Sequence, residues 1–234
     1  MAAIRKGSPS SPARFTGFPA DALAFYEGLE ADNSRSYWLA NKERYQSQVR
    51  APMEALLARF DDEFGPFHVF RPYVDARFSK NKAPYKTHIG GYGESEGGAG
   101  FYVQFSAAGL LVAAGYYAMA PDQLDRFRRA VDDGARGAEI EALVQAAEKA
   151  GHTMGAISEL KTAPRGYPKD HPRIGLLRRK GLMGSRTWPA GSWMQSAKVA
   201  DRVLAVWQGL APISDWLDTH VGPSTLPPED VAGL

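Results

Sequence analysis

The chain has 234 residues, 44% of them hydrophobic, enough for one sizeable core. Its 28 basic and 26 acidic residues leave a formal charge of +2, so no global field draws it onto nucleic acid or anionic lipid, and an anion site has to be local. The absence of cysteine excludes disulfides, zinc–thiolate sites and thiol nucleophiles, and agrees with a reducing interior.

The start, MAAIRKGSPSSPA, carries a basic pair but no apolar run of signal-peptide length, and no later window is long and apolar enough to span a bilayer. A cytoplasmic protein without membrane partners is expected. Residues 1–13 and 222–234 are rich in small residues and proline, and are expected to form a disordered N-terminal and a loose C-terminal tail around a single domain spanning 14–221.

From Asp21 to Leu29, apolar residues recur at helical spacing, and Ser34 offers the N-cap of a second helix with Tyr37, Trp38, Tyr45 and Val49 on one face. Pro52 suits the first turn of a third helix carrying Met53, Leu56, Leu57 and Phe60. Residues 67–79 alternate with a period of two. Phe70, Pro72, Val74, Ala76 and Phe78 fall on one side of the expected strand, and Arg71, Tyr73, Asp75 and Arg77 on the other. Pro72 lacks a donor, so this strand is an edge, begins near Pro72, or carries a bulge.

The glycine-rich stretch from Gly90 to Gly100 lacks the Gly-Lys-Ser/Thr of a phosphate loop and is expected to be a flexible loop or lid. FYVQFSAAG and LLVAAGYYAM read as a hairpin, and two helices follow, the first opened by Pro121 and the second stopped by Gly151. Met154, Ile157 and Leu160 are too few to decide on a strand over 153–161. A short helix near 174–180, a strand over 182–188, and helices over 194–209 and 213–220 complete the pattern. Helices, then an antiparallel sheet, then helices spell an α+β fold: one domain in which a mostly antiparallel sheet packs against helices.

The candidate chemistry centres on residues 71–91. Arg71 and Arg77 flank Asp75, either as an ion-pair ladder that braces the sheet or as two guanidinium groups held toward a phosphate or carboxylate. Lys82, Tyr85, Lys86 and His88 follow, where a loop brings ammonium groups and a phenol to the same ligand or leaves them solvated. A second basic cluster, LKTAPRGYPKDHPRIGLLRRK, contributes Lys161 and Arg165 to the candidate set, with Tyr167 beside them. The five histidines show no HExxH spacing, and no GxSxG elbow occurs, so neither a metal nor a cofactor is implied and no catalytic residue is identified. The leading reading is a protein that binds a small phosphate- or carboxylate-bearing ligand, its reaction, if any, unnamed. Association with nucleic acid, or a purely structural role for the 71–85 segment, are the alternatives. Oligomeric state has no signature.

Arg71, Asp75, Arg77, Phe78, Asn81, Lys82 and Tyr85 together resemble the signature of the bacterial family called domain of unknown function 2461. Val74 departs from it, standing where the family usually has arginine. The resemblance extends over about residues 14–221. It includes Asp32-Asn33 and Tyr37-Trp38 among the N-terminal helices, and Leu160, Lys161, Pro164, Arg165, Gly166, Asp170, His171 and Pro172 further on. It implies membership of an uncharacterised family, with no activity, substrate or cofactor attached.

Overall fold

The computed structural model describes residues 14–74 and 83–227. Helix α1 (Ala20–Ala31) buries Ala22, Phe25, Tyr26 and Leu29, the i, i+3, i+4, i+7 stripe of an amphipathic helix. Helix α2 (Arg35–Arg44) starts where Ser34 predicts: its hydroxyl accepts the Tyr37 N–H at 3.1 Å. Pro52 sits in the first turn of the third helix, as expected, but that helix does not begin afresh. The chain instead runs from α2 through a π-helical segment, Tyr45–Arg50, into α3 (Ala51–Leu57), with Pro52 inside the run. The wider π turn, seen in the Ala51 N–H bonding Gln46 O, shifts the hydrogen-bond register just ahead of Pro52, where an α turn would require the missing donor. A single turn, α4 (Asp61–Phe64), leads to the sheet.

The sheet has six strands, β1 (His68–Val69), β2 (His88–Glu94), β3 (Gly100–Ser106), β4 (Gly109–Tyr116), β5 (Thr153–Gly155) and β6 (Leu182–Pro189), in the order β1-β2-β3-β4-β6-β5. Every pairing is antiparallel. Between β4 and β5 lie α5 (Pro121–Asp132) and α6 (Gly134–Lys149), and α7 (Ile174–Leu177) precedes β6. A 3-10 turn, Ser192–Gln195, precedes α8 (Lys198–His220). The two helices expected after residue 194 are therefore one: Pro212 sits within α8, on its exposed side, where water can take the carbonyl it leaves unpaired.

Of the strand expected over 67–79, the described residues show a two-residue strand, His68–Val69, and an irregular continuation to residue 74. Val69 pairs with Gly91, but the next bridge is Tyr73 with Tyr85, so three residues on one side face five on the other. Such a bulge accommodates Pro72, whose carbonyl accepts the Lys86 N–H at 2.7 Å although it can donate nothing itself. Residues 75–79 lie outside the described residues.

One face of the sheet is covered. Phe18 stacks on Phe105 at 4.1 Å, and Trp207 of α8 meets Phe60, Phe64, Phe67 and Phe101 while its indole N–H donates to Ala113 O at 3.1 Å. The glycine-rich stretch is the end of one strand and a short turn fastened to α8, not a lid. Gly90–Gly93 belong to β2, and a Cβ on Gly91 would lie 2.4 Å from Leu57, so glycine lets α3 approach the backbone. The turn that follows is fastened to α8: Ser95 Oγ donates to Asp218 at 2.7 Å, and the Ala99 N–H donates to the same carboxylate at 3.0 Å.

At the far corner, Arg202 of α8 lies 3.9 Å from the Trp193 ring centre and 5.3 Å from that of Trp188, with Arg186 on the latter ring at 5.4 Å. These alternating guanidinium and indole planes clamp the end of β6 to α8. Described residues after α8 hydrogen-bond to α5. Asp122 accepts from Ser224 Oγ and the Thr225 N–H, and Arg126 donates to Val221 O and Pro223 O.

Candidate functional site

The other face of the sheet carries no helix among the described residues. Strand alternation sends Lys86, His88, Tyr92 and Glu94 of the β2 region to that side, with Tyr102 and Gln104 of β3, Leu111 of β4 and Met183 of β6. Phe70 joins them across the edge, 6.5 Å from the Tyr92 ring at an interplanar angle of 28° and 6.3 Å from that of Tyr102. All of these side chains except the exposed Glu94 are half-buried.

Two glycines shape this surface. A Cβ on Gly90 would meet the Tyr102 hydroxyl at 2.7 Å and its ring at 2.9 Å, and one on Gly100 would meet the Tyr92 ring at 2.7 Å. Each tyrosine therefore leans over a glycine on the neighbouring strand, which turns ring surface outward. Burial raises both phenols, that of Tyr102 to about 12 and that of Tyr92 further, helped by its hydrogen bond to Glu94. The Tyr102 hydroxyl bonds Gln104 Oε1 at 2.8 Å, and the Tyr92 hydroxyl bonds Glu94 at 2.8 Å.

A cation and an imidazole border the rings at one end. Lys86 Nζ sits 5.3 Å from the centre of Phe70. His88 follows it two residues along β2, and its pKa is lowered by burial first and by the Lys86 charge second. Among the described residues no carboxylate contacts either side chain. A half-buried cation beside an imidazole, with no counter-charge among the described residues, is an arrangement that favours an incoming anion.

The residues singled out from sequence divide. Lys86 and His88 come together on the open face, and Arg71 follows β1 at the same edge. Asp75, Arg77 and Lys82 lie outside the described residues. Tyr85 points to the covered side, 6% exposed, stacked on Trp38 at 4.5 Å. Its backbone is gripped by Asn33, whose carboxamide donates to Tyr85 O at 2.9 Å and accepts the Tyr85 N–H at 3.1 Å. Lys161 and Arg165 are exposed at the opposite edge. The Glu159–Arg179 bridge continues the β5–β6 register there, five strand spacings, or about 24 Å, from β1.

Most of the remaining second cluster is internal. Arg173 donates to Val131 O at 2.7 Å and to Asp132 O and Asp133 O, closing the C-terminus of α5. The Arg173 N–H donates to His171 Nδ1, so His171 carries its proton on Nε2 and gives it to Asp132 at 3.1 Å. Arg178 donates to Leu160 O. Sequence reasoning missed Phe70, Tyr92 and Tyr102 as an outward surface, since Phe70 falls on the apolar side of its expected strand, Tyr92 in the stretch expected to be a loop, and Tyr102 in an apolar hairpin run. The signal was the repeated Gly-x-Tyr, at Gly90–Tyr92 and Gly100–Tyr102, which sets glycine and tyrosine on one face of adjoining strands.

A family model described as conserved hypothetical protein (DUF2461) matches residues 21–216. No curated protein matches the chain.

Proposed function

The chain belongs to that family, and on this premise we propose that it binds a small phosphate- or carboxylate-bearing ligand on the open face of the sheet, at the β1–β2 edge. Lys86 and His88 supply the contact, with Arg71, Arg77 and Lys82 as the neighbouring cations in sequence. The observation that carries this reading is the pair Lys86 and His88, half-buried side by side without a carboxylate among the described residues. Charge-assisted hydrogen bonds to such groups contribute roughly 1.5–3 kcal/mol each. Lys161 and Arg165 take no part, because they occupy the other edge of the sheet.

Thermal unfolding in the presence of phosphate, pyrophosphate and citrate tests this. A ligand at 100 times its dissociation constant stabilises by about 2.7 kcal/mol. Lys86→Ala is expected to abolish the shift and Lys161→Ala to leave it intact. An absent shift with every anion, or one lost equally in both variants, contradicts the reading.

A further inference from the structure

We infer that the anion held at Lys86 and His88 carries a planar base: the ligand is a nucleoside monophosphate, with its phosphate on these two residues and its base on the rings of Phe70, Tyr92 and Tyr102. This rests on the anion reading above and adds the chemical class of the ligand.

Three observations lead there. The rings adjoin one another, with Tyr92 and Tyr102 centred within 6.5 Å of Phe70 and the His68 ring edge-on to it at 4.9 Å, and Gly90 and Gly100 let the two tyrosines lean over the sheet. A leaning ring offers its π-face, the surface on which any base stacks. Next, Lys86 Nζ stands over the Phe70 ring, 5.3 Å from its centre, so the cation adjoins the Tyr92 and Tyr102 rings that flank Phe70. A phosphate on Lys86 therefore leaves its attached base within reach of the rings.

Finally, the polar groups are graded along the strand. Glu94 lies six residues beyond His88, about 20 Å at strand rise, so its carboxylate stands at the end away from the cations. The phosphate is thus directed to one end only. Gln104, whose Oε1 is engaged by the Tyr102 hydroxyl, keeps its amide N–H groups for the edge of a base. A bare inorganic anion would use the cations and leave the rings idle. A lipid tail would find polar groups, Gln104 and two phenols, within the apolar surface.

The test compares ligands by isothermal titration against the full chain: AMP, UMP, ribose 5-phosphate, inorganic phosphate and a short single-stranded oligonucleotide. The monophosphates are expected to bind on the order of tenfold more tightly than ribose 5-phosphate, the gain that one base–aromatic stack supplies. Tyr102→Leu should erase that gain while leaving ribose 5-phosphate affinity unchanged, and Phe70→Leu provides the same test should the first variant not fold. Lys86→Ala should weaken all of them.

Equal affinity for AMP and ribose 5-phosphate would overturn the inference while leaving the anion reading standing. Binding of the oligonucleotide alone would overturn it in favour of single-stranded nucleic acid. No heat with any ligand removes both readings.

Discussion

Asn33 makes two hydrogen bonds to the backbone of Tyr85, 52 residues away, and so acts as one rung of a sheet supplied by a side chain. Removing it strands a donor and an acceptor on a half-buried segment, which costs roughly 1–3 kcal/mol. We expect Asn33→Ala to lower the urea midpoint accordingly, and an unchanged midpoint would show that Tyr85 is held by its stacking on Trp38 instead. His88 sets a second expectation at this scale. Its folded pKa lies below the unfolded value of about 6.5, so below that pH the unfolded state binds more protons and stability falls as the pH falls. Denaturant melts of the wild type between pH 7.5 and 5 should show this slope, and His88→Asn should flatten it, leaving the contribution of His152, which burial lowers in the same direction. An identical slope in the variant would place the burden on His152 alone.

Among the elements, those set by local chemistry were legible from sequence. Ser34 as an N-cap, Pro121 opening α5, and Gly151 following α6 in the left-handed region at φ +86° each act within a few residues of themselves. The misread elements are those where distant packing decides. Pro212 reads as a breaker, yet α8 continues because one side of it is held by Trp207, Leu210, Ile213 and Leu217 in the core. Gly90–Gly93 read as a loop because the reasons for glycine there, Leu57, Phe67 and Tyr102, approach from three other elements.

Among the described residues, the strand expected over 67–79 is interrupted after Val69 by a bulge that alternation cannot show, and Phe70 lies against Tyr92 and Tyr102 on the open face. The candidate site was half legible for the same reason: Lys86 and His88 stand out by charge, whereas the platform beside them reads as buried strand. The guanidinium–indole clamp between β6 and α8 gives an expectation of its own. Arg202→Ala should cost about 0.5–1 kcal/mol if both rings are lost as partners, read as a drop in melting temperature with the Trp188 and Trp193 fluorescence shifted toward that of solvated indole. An unmoved spectrum would mean that the indoles pack without the cation.

For the whole molecule, the decisive asymmetry is a sheet with helices on one face and a half-exposed aromatic and cationic surface on the other. No helix among the described residues is long and apolar enough to cross a membrane. The end of the described chain closes on α5 through Asp122. Burial would raise this carboxyl, but hydrogen bonds from the Thr225 N–H, Ser224 and Arg126 outweigh it and hold the pKa well below the usual range. A depressed carboxylate stabilises above its unfolded pKa, about 3.9, and the contribution is lost as pH falls through the folded value. Limited proteolysis should therefore leave the tail in place at pH 7 and release it progressively as pH falls below 4 toward the folded pKa, and Asp122→Asn should release it already at pH 7; a tail equally resistant in the variant would refute the clamp.

The open face itself is tested most directly by following backbone amide chemical shifts while pyrophosphate is added to the full chain. The account predicts saturable shifts clustered at Lys86, His88 and Gly90, with residues 159–173 at the opposite edge unmoved. Shifts confined to that opposite edge, or none at any concentration, would contradict it.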